Sequence, residues 1–311
     1  MRGAYLCAHY KGVGNRMEEQ VYFTVSRDGY FWESVNGGKP ILCSELGEGG
    51  VRDVSIFRTN ENRFILLGND LCLSTQFEPK YGKNWANIGR FGSKKINMWI
   101  SDDLVSWSEQ KQLSLGDENF GCFWGPEILF NEETKQYRIY WSSSHADNDF
   151  GNKSIYYCET KDFVHFSEPV RWCTKEDASI VDPFVFCKDG VYYRFLKSRN
   201  NPFSVILEKS DRLDGEYKRV ESFEQWMAGY QANEYEAPTI YELPGGDICL
   251  ILDYFGEDYS YKGMIPFVTK DLETGIFVEN SDKFVFPYGM KHGNIMEITQ
   301  EEYERLKSLG Q

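Results

Sequence analysis

The sequence has no C-x-x-C pair: its eight cysteines, Cys7, Cys43, Cys72, Cys122, Cys158, Cys173, Cys187 and Cys249, are scattered along 311 residues. That argues against zinc ribbons and thioredoxin-like redox motifs. In a chain of this size the cysteines read as reduced core thiols of a cytoplasmic protein. No window approaches the roughly 18 apolar residues of a membrane span, and the opening MRGAYLCAHYKGVG lacks the apolar core of a secretion signal. Positive charge is also scarce, with 34 Lys and Arg against 48 Asp and Glu, a net of −14. Nucleic acid and anionic membranes both demand basic surface, so neither is expected as a partner. Nor does any linker interrupt the chain, and residues 1–311 read as one domain. What remains is a globular composition, 41% hydrophobic and 16% aromatic, with ample material for a core.

Internal repetition carries most of the information. A short β run, a Ser or Thr, an Asp and then an aromatic recur in YFTVSRDGYFW (22–32), MWISDDLVSW (98–107) and IYYCETKDFVHF (155–166). Weaker copies are VILEKSDRLDGEY (205–217) and PFVTKDLETGIF (266–277). Each reads as a strand, an Asp turn and the start of the next strand, so Asp28, Asp103, Asp162 and Asp271 are expected to form turns. Trp32, Trp107 and Phe166 read as core between sheets. A second phrase interleaves with the first: RDVSIFRTNENRFILLGN, GPEILFNEETKQYRIYWSS, VDPFVFCKDGVYYRFLKS and EAPTIYELPGGDICLILDY, each a hairpin headed by a carboxylate. The heads are Asp53, Glu127, Asp182 and Glu236. The last three are separated by steps of 55 and 54, and a further step of 56 reaches His292 in KHGNIMEIT. The first step is 74, stretched by an insertion. The chain then runs into a short C-terminal helix with a Thr299/Glu302 capping box. The strands missing from that fifth unit are found at the N-terminus. The sequence thus predicts an all-β, five-bladed β-propeller, its last blade closed by the N- and C-terminal segments.

In a propeller the first strand of each blade lines the central channel. Asp53, Glu127, Asp182, Glu236 and His292 are then expected around one mouth. Carboxylates crowded together cannot all ionise freely, so at least one pKa must rise. Split protonation states equip a site for general acid–base chemistry. Glycoside hydrolysis needs such a pair, and aromatics suited to flat sugar faces stand nearby: Phe123 and Trp124, Tyr235, Tyr254 and Phe255.

The order RDVSI, WGPEILF, VDPFVF, EAPTIY, HGNIMEI resembles glycoside hydrolase family 43, five-bladed propeller enzymes acting mostly on arabinofuranosides and β-xylosides. The resemblance covers nearly the whole chain. It implies that Asp53 is the general base that activates water, Glu236 the general acid, and Asp182 the third carboxylate, which keeps the acid's pKa raised. It further implies inversion in one displacement, with no cofactor required and no metal in the catalytic set. His292 matches a channel histidine beneath the sugar, and the resemblance leaves room for a structural calcium near it. Trp124 takes a sugar-contacting position, and with Glu127, Tyr254 and His292 completes the expected substrate-binding set. The chain departs from the family pattern at Val54, Ala237 and Glu127, where proline, glycine and aspartate are usual.

The bland alternatives are an Asx-Pro turn for Asp182, structural hydrogen bonding for Glu127 and a packed structural histidine at 292. Trp85 and Arg90, in the first-unit insertion, either reach over the mouth or simply pack. The expected activity is release of terminal α-L-arabinofuranose from plant-derived oligosaccharides. The rivals are a β-xylosidase or other pentosidase of the same family, and a non-catalytic carbohydrate-binding propeller. A retaining fructosidase is disfavoured because no early Asn-Asp-Pro-Asn motif is present. Segments 71–95 and 222–235 are expected to set specificity.

Overall fold

The protein is described from a computed structural model, which covers residues 2–230, 234–257 and 260–310. It is mostly β. The strands in chain order are β1 (Arg2–Tyr10), β2 (Tyr22–Ser26), β3 (Trp32–Ser34), β4 (Arg52–Arg58), β5 (Phe64–Asn69), β6 (Ile96–Ser101) and β7 (Lys111–Leu113). Next come β8 (Trp124–Asn131), β9 (Gln136–Ser143), β10 (Ser154–Thr160), β11 (Val170–Cys173), β12 (Ile180–Lys188), β13 (Val191–Arg199), β14 (Phe203–Ser210) and β15 (Lys218–Arg219). The last are β16 (Glu234–Glu242), β17 (Ile248–Phe255), β18 (Tyr261–Thr269), β19 (Val278–Glu279) and β20 (Lys291–Thr299). Four α-helices, α1 (Leu73–Gln76), α2 (Trp85–Phe91), α3 (Glu221–Ala228) and α4 (Gln300–Lys307), and four single 3-10 turns complete the regular structure of the described residues. None is long and apolar enough to cross a membrane among the described residues.

Three sheets are four-stranded meanders: β8–β11, β12–β15 and β16–β19. The fourth has eight strands in the order β3-β2-β1-β20-β4-β5-β6-β7. Its halves meet at a single parallel pairing, Gly293 with Val54. Within one half, β1 runs antiparallel to β20 from Arg2/Thr299 to Tyr10/Lys291, so the two ends of the chain share a sheet. The first strands also neighbour one another: β4 packs beside β8, β8 beside β12, β12 beside β16, β16 beside β20, and β20 beside β4. A cavity of about 540 Å³ lies between them, lined by Ile56, Phe130, Val185, Ile240 and Ile295 among others.

Apolar side chains fill the spaces between successive sheets. Leu6 and Val25 meet Ile56 and Leu66, and Leu67 and Met98 meet Ile139 and Trp141. Ile155 meets Ile180 and Leu196, Leu207 meets Ile240 and Leu250, and Ile251 and Tyr241 meet Tyr5 and Cys7. Each such side chain, fully buried, contributes about 1.5–3 kcal/mol. Trp32 lies in this core with its ring 6.1 Å from Tyr241. The cysteines are all free, but Cys43 and Cys187 are exposed, so the expectation of core thiols holds for six of the eight.

The recurring aspartates make turns. Asp28 Oδ1 accepts from the amides of Tyr30 and Phe31, Asp103 Oδ1 from Val105 and Ser106, and Asp162 Oδ1 from Val164 and His165. Thr299 and Glu302 form the expected capping box on α4.

Candidate active site

A β-bulge stands at the head of every first strand, where the pairing register slips: between Arg52 and Ser55, Trp124 and Glu127, Val181 and Phe184, and Glu236 and Thr239, and beside Tyr10 opposite Lys291. One residue in each bulge has positive φ: Asp53 (49°), Gly125 (51°), Asp182 (50°), Ala237 (56°) and His292 (25°). For four of these five a side chain is forced into a left-handed conformation costing about 1–2 kcal/mol. Strain of this kind concentrates at working sites. The bulges correct the sequence alignment. Asp53, Asp182 and His292 occupy equivalent places, but Glu236 lies one residue before its bulge position and Glu127 two residues beyond its own. Pro126, Pro183 and Pro238 follow the bulge residues where Val54 follows Asp53.

His292 joins the groups. Its Nδ1 lies 2.9 Å from Asp53 Oδ1, and its backbone N–H is 3.2 Å from both carboxylate oxygens of Asp253. Asn69 donates to the other oxygen of Asp53. Burial alone would raise the Asp53 pKa, but the charge and hydrogen bond of His292, with Arg52 and Lys291 at longer range, hold it below the ordinary value. In return, burial that would favour neutral His292 is overcome by Asp53 and Asp182, and its pKa rises to about 10. The pair is therefore carboxylate and imidazolium at neutral pH.

Glu236 behaves in the opposite way. Burial and the charge of Asp182 push it up to about 7, against Lys291 and Arg199. Arg199 Nη1 donates to it at 3.3 Å while pairing more closely, at 2.6 Å, with Glu234. Asp182 is itself raised by burial and by Asp53, and it accepts from the Ala237 amide at 3.2 Å. That bond ties the carboxylate of one bulge to the backbone beside Glu236.

Sequence reasoning missed Asp253. It lies on β17 directly across from Glu236, is 1% exposed, and burial lifts its pKa to about 6. The available signal was a lone carboxylate in the apolar run ICLILDYF, facing Glu236 across the hairpin. Glu127 is also buried, and its Oε2 accepts from Ser55 Oγ at 2.6 Å and Asn294 Nδ2 at 2.9 Å. Burial raises it to about 7. Tyr254 does not join the carboxylates. It adjoins Asp253 on a strand whose side chains alternate in direction, and its ring packs 5.2 Å from Tyr235 in the core between sheets.

Trp124 opens β8 beside Gly125, where an added Cβ would lie 3.5 Å from the Asp182 α-carbon. The 71–95 segment carries α1 and α2. It is anchored through buried Glu19, which pairs with Arg52 at 3.2 Å and accepts the Leu73 and Ser74 amides at 2.8 Å. Trp85, the first residue of α2, brings its ring 6.2 Å from Trp124. Arg90 faces outward to Asp149 and the Phe150 ring. The first half of segment 222–235 belongs to α3, its last two residues open β16, and its residues 231–233 lie outside the described residues.

No group of three or more His, Cys, Asp or Glu among the described residues forms a metal-binding cluster. Around His292 the fit to calcium is poor. Its Nδ1 is committed to Asp53, and Arg52 and Lys291 are buried close by, whereas calcium takes a shell of six to eight oxygens.

Residues 2–304 match the model of a family related to glycoside hydrolase family 43, described as a probable glycosyl hydrolase domain. An α-L-arabinofuranosidase of Bifidobacterium longum is 25% identical over 257 residues, 72% of this chain. The chain spans only 23% of the length of that relative. The family-43 protein BlXynB of Bacillus licheniformis superposes with a TM-score of 0.61 at 14% identity, over 96% of this chain and 56% of its own. An endo-arabinase of Bacteroides thetaiotaomicron gives 0.53 at 15% identity, over 82% and 95% respectively.

Proposed function

The chain belongs to the family-43-related glycosyl hydrolases, and from that premise we propose that it is an inverting exo-glycosidase releasing terminal α-L-arabinofuranose from oligosaccharides. In this reading residues 1–311 form one five-bladed propeller. The eight-stranded sheet is two blades joined at Gly293 and Val54, and β1 beside β20 closes the ring. The cyclic contact of the five first strands and their five bulges support that architecture. The eight free thiols suit a reducing compartment, and the reading places the work in the cytoplasm.

The observation that carries the reading is the split between Asp53 and Glu236. Asp53 is kept ionised by an imidazolium, while burial and Asp182 keep Glu236 protonated up to about pH 7. Asp53 takes a proton from water as the water oxygen bonds to the anomeric carbon. Glu236 gives its proton to the departing glycosidic oxygen as the carbon–oxygen bond breaks. The product sugar has inverted configuration; Asp53 then releases its proton to solvent and Glu236 takes one back, its pKa held up by burial and Asp182. The choice of arabinofuranose in this reading rests on the Bifidobacterium relative, an α-L-arabinofuranosidase.

The test uses nitrophenyl arabinofuranoside, nitrophenyl β-xyloside and arabinobiose with wild type and Glu236→Gln. We expect arabinofuranosides to be preferred and the variant to lose about 10²–10⁴ in kcat, the usual worth of a positioned acid. The loss should be larger with arabinobiose, because nitrophenolate leaves with little help. An unchanged rate on arabinobiose in the variant overturns the acid assignment. Preference for the xyloside favours the pentosidase rival, and binding without turnover favours a carbohydrate-binding propeller.

A further inference from the structure

We infer that Trp85, Trp124 and Lys153 form a subsite for the sugar adjoining the one released, with Trp85 taking the apolar face of its ring and the Lys153 ammonium donating to its hydroxyl oxygens. Trp85 is 55% exposed although it belongs to a packed insertion. It is nevertheless held firmly: Asn84 caps α2, and the Gly89 carbonyl accepts from the Cys122 amide and Ser144 Oγ, each at 2.9 Å. The indole therefore projects beside Trp124 from a fixed support, as a stacking platform requires. Lys153 Nζ stands 5.9 Å from the centroid of the Trp124 ring.

Lys153 is partly buried, and no carboxylate lies within 4.0 Å of its Nζ among the described residues. A partly buried ammonium left without such a partner is costly, and the hydroxyl oxygens of a sugar supply what the protein withholds. Burial and Arg199 also depress the Lys153 pKa, in keeping with an ammonium drawn away from bulk water. The place is next to the chemistry: the Lys153 carbonyl accepts from the Ile180 amide at 3.2 Å, two residues before Asp182.

The inference rests on the glycosidase reading for the identity of its ligand, and its test separates the two. KM is measured for methyl arabinofuranoside, which has no second sugar, and for arabinobiose, with wild type, Trp85→Ala and Lys153→Met. Each variant should raise KM for arabinobiose more than for the methyl glycoside, by about tenfold for Trp85→Ala, the scale of losing one aromatic anchor. A calorimetric titration of Glu236→Gln and of Glu236→Gln/Trp85→Ala with arabinose and arabinobiose reads the same subsite without turnover. Equal losses on one-sugar and two-sugar ligands, or no advantage of the disaccharide in either protein, overturn the subsite. A disaccharide advantage that Trp85→Ala abolishes, in a wild type that hydrolyses nothing, keeps the subsite and overturns the activity.

Discussion

Replacing His292 by Gln tests how Asp53 is kept ionised. The substitution preserves a donor of similar reach and removes the positive charge 2.9 Å from the carboxylate. An opposite charge at hydrogen-bond distance typically depresses a carboxylate pKa by about 1–3 units. Its loss should raise Asp53 by about that much, worth roughly 1.4–4 kcal/mol at 1.36 kcal/mol per unit. Base catalysis requires ionised Asp53, so the acid limb of kcat/KM should move upward by about 1–3 pH units. The alkaline limb reports Glu236, near 7, whose neighbours are Asp182, Lys291, Arg199 and Asp253. It should move little, and the active range should narrow from the acid side only. Initial rates on nitrophenyl arabinofuranoside between pH 3.5 and 9 measure both limbs. Breaking a buried pair also costs about 3–5 kcal/mol of stability, so urea unfolding at each pH establishes that the variant is folded where it is assayed. An acid limb that stays in place while the alkaline limb shifts would refute the reasoning.

Two further outcomes concern stability. Glu127 has a folded pKa of about 7 against an ordinary 4.5, so the folded state holds its proton more tightly and loses stability as pH rises between those values. Glu127→Gln should thus be nearly neutral at pH 4 and more stable than wild type at pH 8, by up to about 3 kcal/mol; equal urea midpoints at both pH values would show that the carboxylate is not desolvated. Gly125→Ala meets no steric clash beside Asp182 but must adopt φ near 51°, so urea unfolding should show a loss of about 1–2 kcal/mol, and a variant as stable as wild type would show that the bulge is absent.

The legible features of this fold are those encoded locally. The Ser/Thr-x-Asp turns and the capping box each depend on atoms within a few residues, and their sequence signatures translated directly into hydrogen bonds. The hairpins recurred often enough to expose a period. The bulges were not legible, because left-handed backbone is imposed here by pairing and is occupied by Gly125, Ala237 and His292 as well as by Asp53 and Asp182. Counting carboxylates therefore put Glu127 and Glu236 in register with Asp53 and Asp182, one or two residues out of place. Asp253 was hidden for a related reason: its role arises from a cross-strand partner 17 residues away and from His292 in another sheet. Tyr254 was misplaced by proximity alone, since one step along a strand reverses the side chain.

The pairing of β1 with β20 bears on how the molecule is made. Tyr5 finds Glu297 and Leu6 finds Met296 only after roughly 290 further residues have been synthesised. At the usual 5–20 residues per second, β1 waits roughly 15–60 s with one edge open. During that interval β2 and β3 can fold against it, but its outer edge, AYLCAHY, is an unpaired apolar strand, the kind that recruits other chains. Synthesis rate and chaperone supply, more than the final stability, should therefore govern the yield of native protein.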